Sequence, residues 1–524
     1  MEWSGWGDPA EAPSLSPAAL ELLRGALGVR RPAPAVAAED VRLPQVRLDD
    51  RQQDTLSAIV GAEHVRLDDR IRLLRTRGKS TTDLLRIRSG DADDAPDAVI
   101  FPGSHEEVLE LLHRCGEAHI AVVPFGGGTS VVGGLQPRRD GFSAVVAFDL
   151  GRMNRLLELD EESRTATLEP GLRGPDAEAL LTDRGYTIGH HPQSFEYASV
   201  GGFAAVRSSG QASAGYGRFD ERVVALRVAT PRGTIETGRA PKSAAGPDLR
   251  QLFLGSEGTL GVITAIRIEV RPVPVARVYE GWRFDSFAAG REAVRRLAQD
   301  GPLPTVLRLS DEAETAVNLA RPGQVGDGGG AGGALAITGY EGKADEVEWR
   351  RGAVSAVLRA LRAEPDPSAG ADWFDDRYKG PYLRDALLGA GALVETLETA
   401  TFWSGVERLY HDVGGALRES LTKLGTPPVV LCHISHVYAS GASLYFTVGA
   451  AQLDDPVAQW HAAKSAASDA ILGAGGSITH HHGVGVDHRE HYFREIGPPA
   501  IEALRAVKAT LDPAGILNPG VLLG

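Results

Sequence analysis

Three adjacent histidines, His480, His481 and His482, lie in the stretch GGSITHHHGVG, Gly475 to Gly485. Imidazoles can ligate a metal, exchange protons near neutral pH, or simply sit in water, so residue type leaves three chemistries open. A β-like run precedes the triplet and a helical segment follows it. In an extended chain alternate side chains share a face, which puts His480 and His482 on one side and His481 on the other. Two histidines on one side need a third ligand to hold zinc. No Asp, Glu or Cys stands close in sequence, and Asp487 and His488 follow a glycine turn, so no metal site is expected.

A second chemical signal is glycine. In PFGGGTSVVGGL, Pro124 to Leu135, three glycines follow an apolar run. Successive backbone N–H groups can converge there into a nest for a pyrophosphate, with Thr129 and Ser130 adding uncharged hydroxyl donors. The segment HHPQSFEYASVGGFAAVRSSGQASAGYGRF is lean in bulk, with Gly201, Gly202, Ser208, Ser209 and Gly210. Glycine in such runs marks a close approach of ligand to backbone, as a flat cofactor would make. GSEGTLGVITAIRIEV then repeats the pattern of glycine loop into strand. A formal G-x-G-x-x-G from Gly328 to Gly333 is set aside: a turn-like RPGQ precedes it and a β-like ALAIT follows, the reverse of a dinucleotide fingerprint. That insert is expected to be a flexible loop.

These groups need elements to position them. A chain of 524 residues exceeds one hydrophobic core, so two or three domains are expected. The net charge of −14 argues against a nucleic-acid binder. Cys115 and Cys432 are the only cysteines, which excludes a disulfide framework. No apolar run approaches the length of a membrane span and MEWSGWGDPAEA lacks a signal-like apolar core, so a cytoplasmic protein is expected. Residues 1–95, Arg/Asp-rich with a helical pattern at Pro17 to Leu27, read as a wrapping segment. Asp97 to Phe101 and Ala121 to Pro124 read as strands. Between them Ser104 and Glu107 predict a capping box before a helix whose apolar face is Val108, Leu111, Leu112 and Cys115. In VITAIRIEV, Ile266, Ile268 and Val270 alternate with Arg267, Glu269 and Arg271, the pattern of a half-buried strand. Strands mixed with short helices make 96–275 an α+β domain; PVPV at 272–275 marks its boundary. Residues 276–474 are then a second domain of alternating helices and strands, and 475–524 a C-terminal segment with a helix ending at Asp512-Pro513.

Taken in order, PFGGGTSV, HHPQSFEYASVGGF with VRSSG, and GSEGTLGVIT resemble the FAD-binding domain of the vanillyl-alcohol oxidase / p-cresol methylhydroxylase superfamily. Within it, the likeness to the alkyldihydroxyacetonephosphate synthases runs from WSGWGD to HHHGVG and covers most of the chain. The resemblance implies a two-lobed FAD-binding domain of the p-cresol methylhydroxylase type, an α/β cap domain for the substrate, and a C-terminal tail that returns to the FAD domain. It implies that Phe125, Gly126, Gly127, Gly128, Thr129, Ser130 and Val131, with Gln193, Ser194, Phe195, Glu196, Tyr197, Ala198, Ser199 and Gly202, hold the pyrophosphate and flavin. Val206, Arg207, Ser208 and Ser209, with Glu257, Gly258, Thr259, Leu260, Gly261, Val262 and Ile263, would complete the pocket. Thr129 stands where several relatives carry a flavin-linking histidine, so non-covalent FAD is expected.

VLRLSDE, GPYLRDALL, HVYASGASLYF and ITHHHGVG are likewise similar to the synthases. The matched Arg308, Arg384, Tyr438 and His480–His482 take roles from that resemblance. The family's substrate is an acyl ester of dihydroxyacetone phosphate, whose acyl group a fatty alcohol replaces while flavin N5 traps the carbon. Arg384 would fork onto the phosphate, with Arg308 as second organiser. Tyr438 would shuttle the proton, its phenol lowered from about 10 by neighbouring cations. The histidines would orient the carbonyl and His190 would join the substrate site. A homodimer and transient membrane contact are implied as well. The rival is an FAD-linked oxidoreductase, a D-2-hydroxy acid dehydrogenase or alcohol oxidase. The ending LDPAGILNPG favours the dehydrogenases, but their metal-binding H-V-G-D-G-N-L-H falls on HVYASGASLY, where His436 remains and Tyr445 stands for the second histidine.

Overall fold

The computed structural model describes residues 1–12, 14–317 and 332–524. Most of the Gly328–Gly333 pattern, and the loop expected around it, lie outside the described residues. A four-stranded sheet is built around parallel pairing of Ala144–Asp149 with Ala98–Ile100 on one side and Ile120–Phe125 on the other. The crossover between the last two is the His105–Glu117 helix. Val108, Leu111, Leu112 and Cys115 are all fully buried beneath it. Each of the larger ones contributes about 1.5–3 kcal/mol through that burial. The expected capping box is only half formed. Ser104 Oγ accepts from the Glu107 amide, but the Glu107 carboxylate turns to the Gly103 amide instead of that of Ser104.

A five-stranded antiparallel sheet follows, with Val262–Glu269 at its centre between Thr165–Leu168 and Val223–Thr230. Ile266 and Ile268 are fully buried there while Glu269 is exposed, so the alternation holds. Between the two sheets, the glycine loops emerge from the ends of Ile120–Phe125 and ahead of Val262–Glu269.

The second half forms a seven-stranded antiparallel sheet. Its order is Glu364–Asp366, Ala276–Phe284, Ala334–Gly342, Val306–Ser310, Val429–Val437, Gly441–Ala451, Ala392–Phe402. The helices Phe287–Asp300, Ala344–Ala360, Val406–Lys423 and Pro456–Gly473 bury one face of it in the largest apolar core. Leu307 and Leu309 point into that core, so Val306 and Arg308 between them face the opposite side. That second face is where the cavity lies.

Both chain ends tie the halves together. Leu517 bridges Val122 and Asn518 Nδ2 donates to the carbonyls of Gly134 and Glu257, so the tail returns to the first sheet. At the other end Leu23 and Leu27 pack on Ala392 and Val394, and Lys79 donates to the Glu2 and Trp3 carbonyls. Among the described residues no helix is long and apolar enough to cross a membrane.

Candidate active site

A cavity of about 460 Å³ lies between the glycine loops and the free face of the seven-stranded sheet. Phe125–Val131 line it throughout, joined by Gln193, Ser194, Ala198, Ser199, Gly202, Val206, Ser208 and Ser209, and by Glu257, Gly258 and 261–263. Six residues expected in this wall stand outside it. Phe195 is turned away into a ring contact with Tyr378, and the Arg207 guanidinium is spent on the Leu254 carbonyl and Gln251. Leu260 is in the apolar core and the Thr259 hydroxyl is buried on the Ser256 carbonyl. Glu196 and Tyr197 complete the six.

The glycines are required by contact. A Cβ on Gly127 would sit 1.9 Å from the Tyr197 carbonyl oxygen, and one on Gly126 would sit 2.3 Å from Ser199 Oγ. The loop therefore lies flat on the Ser194–Ser199 turn and presents backbone, not side chains, to the cavity. No charged side chain occurs between Phe125 and Val131, and the Ser208 and Ser209 side chains line the cavity. Bare amides and uncharged hydroxyls fit an uncharged clasp on a dinucleotide pyrophosphate.

The triple-histidine segment is organised by a residue that sequence reasoning missed. Glu398, on strand Ala392–Phe402 and 1% exposed, accepts the backbone N–H of His480 at 2.6 Å, His481 at 3.1 Å and His482 at 2.9 Å. The Thr479 hydroxyl adds a fourth bond at 2.6 Å. Burial works to raise the Glu398 carboxyl, but the three histidines outweigh it and hold it well below the usual range. Because the backbone curls around one carboxylate, the alternation expected of a strand fails. His481 and His482 both line the cavity, whereas His480 turns behind them. The β-like run expected before the triplet reduces to one bridge, Ala400 to Ser477.

His480 Nε2 lies 2.6 Å from the Tyr438 hydroxyl, and its Nδ1 lies 2.9 Å from His481 Nδ1. Burial pushes His480 down to about 3, against the pull of Glu398, so its ring is neutral. The expected lowering of the Tyr438 phenol is reversed: burial raises it, and Arg218 only partly opposes this. A neutral phenol then donates to Nε2 and the His480 Nδ1–H donates to His481. Tyr438 does not line the main cavity. It lies in the wall of a second, more open one of about 810 Å³, with Ser440, Asp469, Arg494 and Glu495. Arg218, also missed, donates from Nη1 to the His480 carbonyl at 3.0 Å.

The third imidazole that seemed lacking comes from strand Val429–Val437. His436 packs 4.9 Å from the His480 ring and 5.1 Å from that of His481. Ring nitrogens of the three lie within 4.8 Å of one another, so the argument from sequence proximity did not exclude a histidine cluster. The strand register also places Ser443, not Tyr445, opposite His436; Tyr445 pairs with His433.

Arg308 faces the cavity and bonds Glu314 through Nη2 at 2.5 Å, while His433 Nδ1 holds the other Glu314 oxygen at 2.9 Å. Burial opposes ionisation of Glu314, but His433 and Arg308 overcome it and keep the carboxyl well below its ordinary value. Arg384 reaches the cavity with its donors engaged: Nε and Nη2 on Asp385 and Nη1 on the Lys79 carbonyl at 2.6 Å. His190 does not reach the cavity. Its Nε2 meets Ser208 Oγ at 3.0 Å and its ring is buried against Phe203 and Phe219, so it supports the cofactor wall from behind.

Glu257 joins two of the motifs, its Oε1 accepting the amides of Val484 at 2.8 Å and Gly485 at 3.0 Å. Burial pushes its carboxyl from 4.5 up to about 7, the two amides only partly offsetting this. A raised folded value means that stability is greatest below about 4.5 and falls as the unfolded chain ionises first, levelling off above about 7. The Glu257→Gln variant should lose that slope. Unfolding free energies of the two proteins from urea titration, compared between pH 5 and pH 8, should diverge by about 3 kcal/mol in favour of the variant at the higher pH.

Comparison with known proteins shows the family. Residues 96–239 match the FAD binding domain model and 273–522 the model of FAD linked oxidases, C-terminal domain. An alkyldihydroxyacetonephosphate synthase from Dictyostelium discoideum is 32% identical, with 100% of this chain and 93% of the relative covered. A solved alkyldihydroxyacetonephosphate synthase superposes with a TM-score of 0.82 at 29% identity, over 99% of this chain and 98% of the other. Substrate-bound p-cresol methylhydroxylase, 16% identical over 90% of this chain and 96% of its own, shares the fold with a TM-score of 0.71. The chain is therefore an FAD-dependent enzyme that belongs to the alkyldihydroxyacetonephosphate synthase family of p-cresol methylhydroxylase-type flavoproteins.

Proposed function

We propose that this enzyme exchanges the acyl group of an acyl-dihydroxyacetone phosphate for a fatty alcohol. The observation that carries the reading is the lining of the cavity. Besides the glycine loops, Arg308 and His433, its wall includes Leu22, Leu23, Leu27, Leu387, Val394 and Val429, most of them members of one apolar cluster. A lining of leucine and valine side chains takes a hydrocarbon chain and keeps water from the reacting end. A small hydroxy acid would leave it unfilled.

Non-covalent FAD, when bound, supplies a nucleophilic ring nitrogen towards the dihydroxyacetone carbon. The chain's own residues handle protons. A proton leaving substrate carbon in the cavity is taken at His481, which faces it. The resting hydrogen bonds run inward, from the Tyr438 hydroxyl to His480 and from His480 Nδ1–H to His481 Nδ1, so the path delivers a proton to His481, and both bonds must reverse before a proton can pass outward to the second, open cavity. The fatty acid leaves as the alcohol enters, one oxygen substituent for another at the same carbon, so no net oxidant is consumed, and returning protons follow the same path. His482, beside His481 in the cavity wall, orients the carbonyl, and the buried Glu314–Arg308–His433 group fixes the floor. A homodimer with transient access to a lipid surface fits a fatty substrate.

Purified protein should release a yellow supernatant on acid precipitation. With palmitoyl-dihydroxyacetone phosphate and hexadecanol it should form the ether without reducing a dye acceptor. Bleaching of the dye by D-lactate or D-2-hydroxyglutarate, with no ether formed, would replace this reading with that of an FAD-linked dehydrogenase.

A further inference from the structure

We infer that Arg218 supplies the counter-charge that lets Tyr438 release its proton into the histidine path. The inference rests on the proton path proposed above and adds the positioning residue at its outer end. Arg218 heads the short helix Phe219–Arg222, its own amide donating to the Glu221 carboxylate at 2.9 Å. Three side-chain bonds fix its guanidinium. Nε donates to Asp220 Oδ1 at 2.9 Å, Nη1 to the His480 carbonyl at 3.0 Å and Nη2 to the Arg207 carbonyl at 2.9 Å. A guanidinium carries five N–H donors, so one remains on each terminal nitrogen. The Tyr438 phenol interacts with the same guanidinium by charge and by hydrogen bonding. One side chain of the FAD-binding half therefore holds both Tyr438 and the turn that carries His480.

The proton step calls for such a charge. In an inward transfer the Tyr438 O–H bond breaks, an N–H bond forms at His480 Nε2, and the proton on His480 Nδ1 passes to His481 Nδ1. His480 gains one proton as it gives up another, so its ring stays neutral. Burial and Arg218 both disfavour a charged His480, and neither opposes a step in which that charge never forms. The negative charge is left on the Tyr438 oxygen. Burial resists it and Glu221 adds to the resistance, while Arg218 is the first group to relieve it, ahead of the Ser209 hydroxyl. The other charged groups near that oxygen are committed elsewhere. In the open cavity Asp469 pairs with Arg494 and Glu495 accepts the Ile478 amide at 2.8 Å. A cation already fixed where negative charge develops stabilises it without reorganisation. Water in the open cavity then returns the proton to the phenolate.

The test uses the full-length, FAD-loaded enzyme with palmitoyl-dihydroxyacetone phosphate and hexadecanol, read as kcat, KM and solvent deuterium uptake at the reacting carbon. Arg218→Gln should keep its flavin and its KM for the acyl ester. Its kcat and deuterium uptake should fall together by about ten- to a hundred-fold, the scale of one charge-assisted hydrogen bond. Arg218→Lys should retain most of both near neutral pH and lose them above about pH 9, as a partly buried ammonium gives up its proton where a guanidinium does not. In a Tyr438→Phe background Arg218→Gln should cost nothing further, because the charge it answers no longer arises. Wild-type kcat and deuterium uptake in Arg218→Gln, a wild-type pH profile in Arg218→Lys, or an undiminished further loss in the Tyr438→Phe background would each overturn the inference. The lysine variant decides the matter should the glutamine variant fail to fold. A fully active Tyr438→Phe enzyme would instead remove the proton path itself, an outcome read on that variant alone.

Discussion

Tyr438→Phe should give a folded, yellow protein whose ether-forming turnover falls by about 10²–10⁴, the span of a lost general acid–base step. The argument is positional. The hydroxyl lies 2.6 Å from His480 Nε2 at the end of the path from His481, and it alone of that path stands in the wall of the open cavity. Removing it interrupts proton exchange with solvent without touching the main cavity, so KM for the acyl ester should change little while kcat collapses. Uptake of solvent deuterium at the reacting carbon should fall in parallel. Because burial raises the phenol, the residue acts as a neutral donor, and no phenolate absorbance should be seen at neutral pH. Full turnover by the variant, or undiminished deuterium uptake, would remove Tyr438 from the relay.

The parts of the molecule legible from sequence are those whose contacts are local. The His105–Glu117 helix could be read because four apolar residues repeat at its own period, and Val262–Glu269 because its alternation matches one buried face. The glycine loops were legible for a similar reason, since a run of residues without Cβ has few uses other than close approach. The active-site polar network was not. Glu398 sits in LVETLETATF as one of two acidic residues in a strand, and its partners lie 81 to 84 residues further on. The clue available was a carboxylate on an otherwise buried stretch, which has to find donors somewhere. The alternation inferred for the triple histidine failed for the same cause: the periodicity of an extended chain does not apply where three consecutive amides converge on one oxygen pair. Likewise His436, Arg218 and the Glu314–His433 pair reach the site only through strand register and packing. The reading of Tyr438 erred in direction, because proximity to a cation was weighed and burial was not.

Glu398→Ala carries the largest expected effect on stability, and Glu398→Gln separates that effect from catalysis. The alanine variant strips the acceptor from three buried amides and one hydroxyl at once, a loss of about 3–5 kcal/mol for a buried charged acceptor removed from its donors. Glutamine keeps one carbonyl oxygen, enough for the amides of His481 and His482 that share Oε1. Its NH₂ would then face the His480 amide, a donor against a donor, where wild type has a 2.6 Å bond. The Gln variant should therefore fold and bind FAD, yet displace His480 from Tyr438 and lose at least about ten-fold in kcat. The pH dependence gives an independent readout. Since the folded carboxyl titrates well below 4.5, its stabilisation is complete above that value and is lost only as pH falls through the folded pKa. The stability gap between wild type and Glu398→Gln should thus be constant from pH 5 to pH 8 and shrink under stronger acid. A Gln variant with wild-type kcat would show that the His480 position does not depend on this carboxylate. A gap that widens in acid would mean that Glu398 is not the ionised hub of the turn.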